Sequence, residues 1–213
     1  MTFESLMPPK PKLRGVLHQI AFYVSLVTGP TLVALARSGI KSAAAVFSLA
    51  MTGLFGVSAL YHRLNWQANV RRWLGRLDHT MIYIFIAGSF TPIALAADTR
   101  WSRIVLVIAW SAAVLGVLIG LLPISTPKSV AVIPYLALGW LGVTLFPGIF
   151  QRAGWTPTLL LLLGGVAYTI GAVIYARRRP DPRPAVFGYH EIFHALVIGG
   201  AYLHYVAIAA TIA

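Results

Sequence analysis

Residues 104–122 read IVLVIAWSAAVLGVLIGLL and contain no charged side chain. A helix needs about 20 mostly apolar residues to cross a hydrocarbon layer roughly 30 Å thick, since each residue rises about 1.5 Å. This stretch therefore predicts a membrane-spanning α-helix.

Six further stretches have the same character, and short segments with prolines, glycines or charges separate them. Together the seven predicted spans cover residues 16–36, 42–64, 79–97, 103–123, 129–150, 157–176 and 188–211. No separator is long enough to form an extramembrane domain. We therefore predict an all-α membrane protein, a seven-helix bundle in which residues 1–213 form a single domain that begins with a polar segment, residues 1–15.

The composition supports this class of protein and excludes others. Hydrophobic residues make up 58% of the 213 residues and charged residues 10%, whereas soluble domains carry about 25% charged residues. A cytosolic enzyme, a nucleic-acid-binding module and a disordered tail are therefore excluded. The chain has no cysteine, which excludes disulfides, thiolate nucleophiles and metals held by cysteine.

The basic residues predict the orientation of the bundle. The formal net charge is +12, and in a membrane protein lysines and arginines concentrate in the cytoplasmic loops. If the amino terminus lies inside, the cytoplasmic side carries twelve of the 17 basic residues. The outer separators carry the other five, which are Arg37, Lys41, Arg100, Arg103 and Arg152. This predicts a multi-pass protein of the cell's inner membrane with a cytoplasmic amino terminus and an outer carboxyl terminus.

Three smaller features carry predictions about individual helices. The segment from Trp66 to Trp73 is predicted to lie along the cytoplasmic surface as a short amphipathic helix. Gly116 and Gly120 form a G-x-x-x-G pattern, which permits close approach of a second helix. Pro92, Pro134 and Pro147 are predicted to kink their helices, because proline has no backbone N–H to donate.

Ionisable side chains inside a membrane are costly, so those present here need a reason. The second span ends at the cytoplasmic boundary with His62, the third begins there near Asp78, and the seventh begins there with His190 and His194. Three helices therefore bring four such groups to one depth. The i, i+4 spacing on the seventh span places both imidazoles on one helix face, about 6 Å apart along the axis.

This cluster predicts a metal centre. Three neutral imidazoles with an open fourth position are the ligand count of a catalytic zinc site, and zinc suits imidazole ligands. Asp78 would hold and deprotonate a water molecule, and Ser58, one turn from His62, would hydrogen-bond that water or a developing oxyanion. The alternative is a polar network that only fixes helix packing. For His18, which stands alone in the first span, a packing or interfacial role is favoured.

The sequence HEIFH at residues 190–194 also matches the H-E-x-x-H pattern of metalloproteases, in which the glutamate is the base. Downstream, His204 is the remaining histidine that could serve as the third ligand, so a protease is the minor alternative. In a helix Glu191 lies about 100° round the axis from His190. We expect it to be an interfacial or packing carboxylate that pairs with Arg183 or another loop arginine.

These motifs resemble a known family. Ser58 and His62 form S-x-x-x-H, Asp78 precedes GSFTP, and His190 and His194 form H-x-x-x-H on the last span. The combination is similar to the progestin and AdipoQ receptor family, and the short loops most resemble its bacterial hemolysin III branch. The resemblance implies a zinc ion held by His62, His190 and His194, with Asp78 bound through water and Ser58 close by.

The family contains adiponectin receptors, to which ceramide hydrolysis is attributed, and its bacterial branch is named for cytolysis and has proposed roles in membrane homeostasis. Three functional hypotheses follow: a zinc-dependent hydrolase of a lipid amide or ester, a zinc-braced receptor or sensor without turnover, and a cytolysin. The sequence leaves open whether the protein is an enzyme. Its expected partners are the lipid bilayer and a membrane lipid as substrate, and no nucleic acid.

Overall fold

The computed structural model of the protein describes residues 11–123 and 127–213. In these two ranges, seven helical stretches are long and apolar enough to cross a membrane. The predicted all-α, seven-helix architecture is confirmed. Residues 1–10 of the predicted polar segment lie outside the described residues, and the orientation of the termini across the membrane stays a prediction.

Within residues 11–123 and 127–213, eight α-helices make up the seven spans, because the fifth span is broken. They are α1 (Val16–Leu35), α2 (Lys41–Arg63), α3 (Ala68–Ala97), α4 (Arg100–Leu121), α5 (Lys128–Trp140), α6 (Phe146–Ala153), α7 (Trp155–Arg177) and α8 (Tyr189–Ile212). Neighbours in sequence pack as α1–α2, α2–α3, α3–α4 and α7–α8, and α8 also contacts α1 and α3. We call the end of the bundle where α1 and α8 begin and α2 ends the N-terminal face; it is the predicted cytoplasmic side.

Helix α3 begins earlier than predicted. Its 30 residues run continuously from Ala68 to Ala97, so the prediction of a separate surface helix between Trp66 and Trp73 is wrong. No proline interrupts residues 68–78, and arginine and leucine there favour helix. Thirty residues span about 45 Å, more than the hydrocarbon thickness. The first turns of α3 therefore extend beyond the membrane, where the Arg76 guanidinium lies over the Trp73 ring.

The fifth span is interrupted by a 3₁₀ segment, Leu141–Leu145, between α5 and α6. The predicted fifth span, residues 129–150, is confirmed as the apolar stretch Val130–Ala153, although it contains two α-helices instead of one. Near Pro147 the helix is broken rather than kinked. Pro92 and Pro134 lie inside α3 and α5, and the kinks at these two positions remain predictions. Pro147 stands in the first turn of α6, where a missing N–H has no cost. Gly139 and Gly142 lie just before it, and glycine lowers helix propensity.

The G-x-x-x-G pattern on α4 packs against α3. A Cβ atom at Gly116 would lie 2.6 Å from the Tyr83 ring, and one at Gly120 would lie 2.6 Å from Cγ2 of Thr80. Both distances are too short for any side chain. The predicted close approach at Gly116 and Gly120 is confirmed.

Helices α7 and α8 are joined by two reciprocal contacts between a glycine and an aromatic ring. A Cβ atom at Gly164 of α7 would collide with the His204 ring, and one at Gly200 of α8 would lie 2.6 Å from the Tyr168 ring. The two rings meet edge to face, with their centroids 5.2 Å apart. Each helix thus carries an aromatic residue four positions after its glycine, which fixes the register of α8 against α7.

Three arginines bind the last carbonyl groups of neighbouring helices. The pairs are Arg37 with Thr211 and Ile212 of α8, Arg152 with Ala96 of α3, and Arg76 with Leu121 of α4. Helix ends leave carbonyls without an intrahelical partner, and a cation there also opposes the negative end of the helix dipole. These side chains therefore stabilise the ends of three helices that would otherwise need water.

The glycine contact between α7 and α8 predicts opposite results for two adjacent substitutions. Gly164→Ala should lower the free energy of unfolding by about 1–3 kcal/mol, because the methyl group overpacks the His204 ring. Gly165→Ala is the control, since no atom of another element lies within 4 Å of a Cβ there; it should raise the free energy of unfolding by about 0.5–1 kcal/mol, because alanine favours helix over glycine. Thermal unfolding of both variants in lipid nanodiscs checks this, and equal destabilisation would contradict the described helix register.

Candidate metal centre

Three buried histidines from two distant parts of the chain meet at the N-terminal face. The Nε2 atoms of His62 on α2 and His190 on α8 lie 3.2 Å apart. With His194, one turn further along α8, they form a group whose ligand nitrogens all lie within 4.8 Å of one another. We call this group the histidine triad. The predicted convergence of the second and seventh spans is confirmed, and the triad is close enough to hold a metal ion.

The spacing of the nitrogens fits one tetrahedral ion. Metal–nitrogen bonds of about 2.0–2.1 Å at a tetrahedral angle place two ligand nitrogens about 3.3 Å apart, close to the 3.2 Å between His62 and His190. Small side-chain rotations bring His194 into the same range. Imidazole suits zinc, copper, iron and nickel, so zinc as the particular metal stays a prediction.

Asp78 lies beside the triad rather than within it. Its Oδ2 atom is 3.5 Å from Nε2 of His62. Within the described ranges, however, its oxygens do not belong to the group of ligand atoms that all lie within 4.8 Å of one another. A carboxylate in this position can contact a ligand-bound water without itself binding the ion. The position agrees with the predicted role of Asp78, which remains a prediction.

Ser58 presents a hydroxyl group at the inner side of the triad. It lies one turn before His62 on α2 and is 1% exposed. Its Oγ atom has no hydrogen-bond partner among the residues that the structure describes. Leaving a buried hydroxyl without a partner costs about 1–3 kcal/mol. The hydroxyl is therefore available to a molecule that enters the site.

His18 contacts the triad. From the sequence we expected only a packing or interfacial role for this residue, and its contact with a triad histidine was not predicted. Its ring stacks on that of His194, with centroids 3.8 Å apart and an angle of 4° between the planes. It is 3% exposed. The signal was present in the sequence, because His18 stands in the first turn of the first span, on the same predicted side as His62. It was missed because a single histidine carries no spacing pattern.

The other two histidines of the spans lie outside the site. The Nδ1 atom of His79 donates to the carbonyl of Gly75, and Nε2 of His204 donates to the carbonyl of Leu161. His204 is ten residues beyond His194 on the same helix, which is about 15 Å along the axis. The protease alternative therefore lacks the third ligand that it required.

Glu191 is a packing carboxylate, as expected, but its partner is Arg14 and not Arg183. One carboxylate oxygen lies 2.6 Å from Nε of Arg14, and the other accepts a hydrogen bond of 2.8 Å from the N–H of Gly188. The side chain is 1% exposed. Both oxygens are thus engaged in holding the first turn of α8, which positions His190, and neither is free to act as a protease base.

The segment before α1 lies against the triad. The backbone N–H groups of Lys12 and Leu13 donate to carbonyls of residues 185 and 186, before α8. Gly15 has φ +78°, and a Cβ atom there would lie 2.6 Å from Cβ of His62. We call residues 12–15 the cover segment. This segment lies over part of the N-terminal side of the triad, while the Asp78 side chain remains 14% exposed.

The triad predicts where metal is lost on substitution. Replacing His62, His190 or His194 with alanine, one at a time, should lower the content of divalent metal in the purified protein at least tenfold. His79→Ala is the matched control, since His79 is adjacent to Asp78 but bonds elsewhere, and it should keep its metal. Elemental analysis of the four variants measures this. Metal retained in all three triad variants would contradict the site.

Comparison with known proteins agrees with the fold and the site. The family described as "Haemolysin-III related" matches residues 7–205. The chain is 27% identical over 157 residues to the Hemolysin-3 homolog of Bacillus subtilis (strain 168), covering 73% of this chain and 70% of that protein. It is 27% identical over 159 residues to Hemolysin-3 of Bacillus cereus, covering 73% and 68%.

A plant protein is also similar. The heptahelical transmembrane protein ADIPOR2 of Oryza sativa subsp. japonica is 32% identical over 183 residues, covering 76% of this chain and 79% of that protein. The resemblance drawn from the motifs is thereby confirmed. This protein belongs to the haemolysin-III-related family, within the progestin and AdipoQ receptor family.

Proposed function

We propose that the protein is a metal-dependent hydrolase of the membrane that cleaves an amide or ester bond of a lipid, with zinc held by His62, His190 and His194. The observation that carries the proposal is the grouping of three buried imidazoles within 4.8 Å next to a carboxylate 3.5 Å from His62. A structural zinc site is usually closed by four protein ligands, whereas three ligands leave a position open for water or substrate. The added Asp78 and the unpartnered Ser58 hydroxyl are the groups that hydrolysis requires.

Each side chain has a distinct part in the reaction. A divalent ion bound by three imidazoles polarises a carbonyl oxygen and acidifies a water molecule. The Asp78 carboxylate takes a proton from the water molecule while the oxygen of that water forms a bond to the carbonyl carbon. The Ser58 hydroxyl donates a hydrogen bond to the carbonyl oxygen as negative charge develops there. Asp78 then returns the proton to the leaving nitrogen or oxygen as the amide or ester bond breaks.

A lipid substrate is favoured by the position of the site. The triad is buried in the bundle, and the cover segment lies over it on the side that we predict faces the cytoplasm. We infer that an acyl chain would approach the triad from the bilayer by passing between helices. We therefore infer a role in membrane lipid homeostasis, in the cell's inner membrane.

Asp78→Asn should reduce turnover about 10²–10⁴-fold, because the amide cannot accept the proton, while metal content stays unchanged. Ser58→Ala should reduce the catalytic rate about 10²-fold through the loss of one hydrogen bond to the developing charge. Asp98→Asn is the control, since Asp98 is exposed at the opposite face of the bundle and pairs with Arg103. Mass spectrometry of fatty acid released from long-chain amides and esters measures all three.

Metal-loaded protein that hydrolyses no long-chain amide or ester in a broad lipid panel would falsify this proposal. That result would favour the second candidate, a receptor or sensor in which the metal braces the ends of α2 and α8. The observation that supports a brace is the Arg14–Glu191 pair, which ties the amino-terminal segment to α8 beside the triad. A brace predicts that Asp78→Asn changes little.

Cytolysis is the third candidate and rests on the name hemolysin that the Bacillus relatives carry. Against it stands the large apolar surface of the helices, with residues such as Val27, Leu49 and Val107 each more than half exposed. Such a surface needs a bilayer and opposes release in soluble form. Lysis of target cells by purified protein, undiminished when His62 and His194 are replaced together, would restore this candidate.

A further inference from the structure

His18 is a buried polar side chain whose two ring nitrogens form no hydrogen bond of ordinary geometry in the described part of the chain. The residue is 3% exposed. Its ring lies next to two others, that of His194 at 3.8 Å and that of Phe55 at 5.3 Å between centroids. The ring is thus held firmly while neither nitrogen forms such a hydrogen bond.

Packing alone does not account for a histidine at this position. An apolar ring such as phenylalanine would fill the same space between His194 and Phe55. It would also avoid the cost of burying polar atoms without partners. The backbone of His194 lies close enough to interact with the His18 ring, so the chain can serve one of the two nitrogens and at least one is left without a partner.

His18 is also badly placed to be a fourth metal ligand. An ion lies near the plane of the imidazole that binds it, about 2 Å from the nitrogen. Because the rings of His18 and His194 are nearly parallel at 3.8 Å, an ion in the plane of His194 lies well outside the plane of His18. Coordination by both rings would require the stack to separate.

The location of His18 indicates what its partner is. Phe55, which contacts the His18 ring, stands three residues before Ser58 on α2, so the two lie on one helix face. Ser58 lies one turn deeper than His62 on α2, and the His18 ring packs against both Phe55 and His194. A molecule bound beside Ser58 and Phe55 would therefore lie next to the His18 ring.

We propose that His18 is a ligand-binding residue of the metal centre, which hydrogen-bonds the uncharged polar head of an amphiphile whose carbonyl group faces the triad. A neutral imidazole offers one donor and one acceptor, which match the C=O and N–H of a lipid amide. An ester offers only acceptors. The class of ligand rests on the proposed function, whereas the burial and stacking of His18 are observed independently of that function. His18 therefore favours amides over esters.

Two substitutions separate ligand binding from packing. His18→Phe keeps the stacked ring and removes both nitrogens, whereas His18→Asn keeps a donor and an acceptor and removes the ring. The probes are a dodecanoyl amide and the matching dodecanoyl ester, each with a fluorophore at the end of the chain. Equilibrium binding is measured by fluorescence anisotropy with protein in nanodiscs, and metal content by elemental analysis. His79→Gln is the control, because His79 lies outside the site.

We expect His18→Phe to keep its metal and to bind the amide about tenfold more weakly, the effect of one lost hydrogen bond. His18→Asn should recover part of that loss, and the ester should be affected less than the amide. Unchanged amide binding by His18→Phe would overturn the inference in favour of packing. Loss of metal in His18→Asn but not in His18→Phe, with amide binding following the metal, would overturn it in favour of positioning His194.

The same measurements distinguish this inference from the proposed function. Amide binding by the wild-type protein without turnover, weakened in His18→Phe, supports the inference and contradicts hydrolysis. Turnover that is identical in wild type and His18→Phe supports hydrolysis and overturns the inference. A wild-type protein that binds neither probe overturns both.

Discussion

Two imidazoles that are 128 positions apart in the chain lie with their Nε2 atoms 3.2 Å apart inside an apolar bundle. Two such nitrogens need a proton or an ion between them, and charge buried in a membrane is costly without partners. The surrounding structure holds them in place. The Arg14–Glu191 pair fixes the first turn of α8, Gly15 allows the chain to pass directly over His62, and the contacts at Gly164 and Gly200 fix α8 against α7.

Much of the fold could be predicted because a membrane imposes a length on every apolar helix. The spans that agree best, such as α1 and α2, begin and end next to charges or glycines in the sequence. The early start of α3 at Ala68 could not be predicted in this way, since a helix can continue beyond the bilayer wherever its residues permit. The break before Pro147 was indicated by the proline, but its extent depends on packing against α7 and α3.

The triad could be predicted because alternating helix directions bring His62 and His190 to the same side, and the i, i+4 spacing aligns His194 with His190. His18 and Arg14 could not be placed, because their contacts depend on how α1 is rotated and on the turn at Gly15, where φ is +78°. Sequence periodicity does not report either quantity. What was missed is therefore the layer of residues that contacts the triad, such as His18 on His194 and Arg14 on Glu191.

The proposed chemistry depends on one divalent ion that all three histidines of the triad bind. Named relatives of the protein include hemolysins and a heptahelical plant protein. X-ray absorption spectroscopy of the metal in the purified protein tests this metal binding most directly. We expect three imidazole nitrogens at about 2.0 Å, completed by one oxygen. A spectrum with mainly oxygen ligands, or protein that binds no stoichiometric metal after reconstitution, would contradict it.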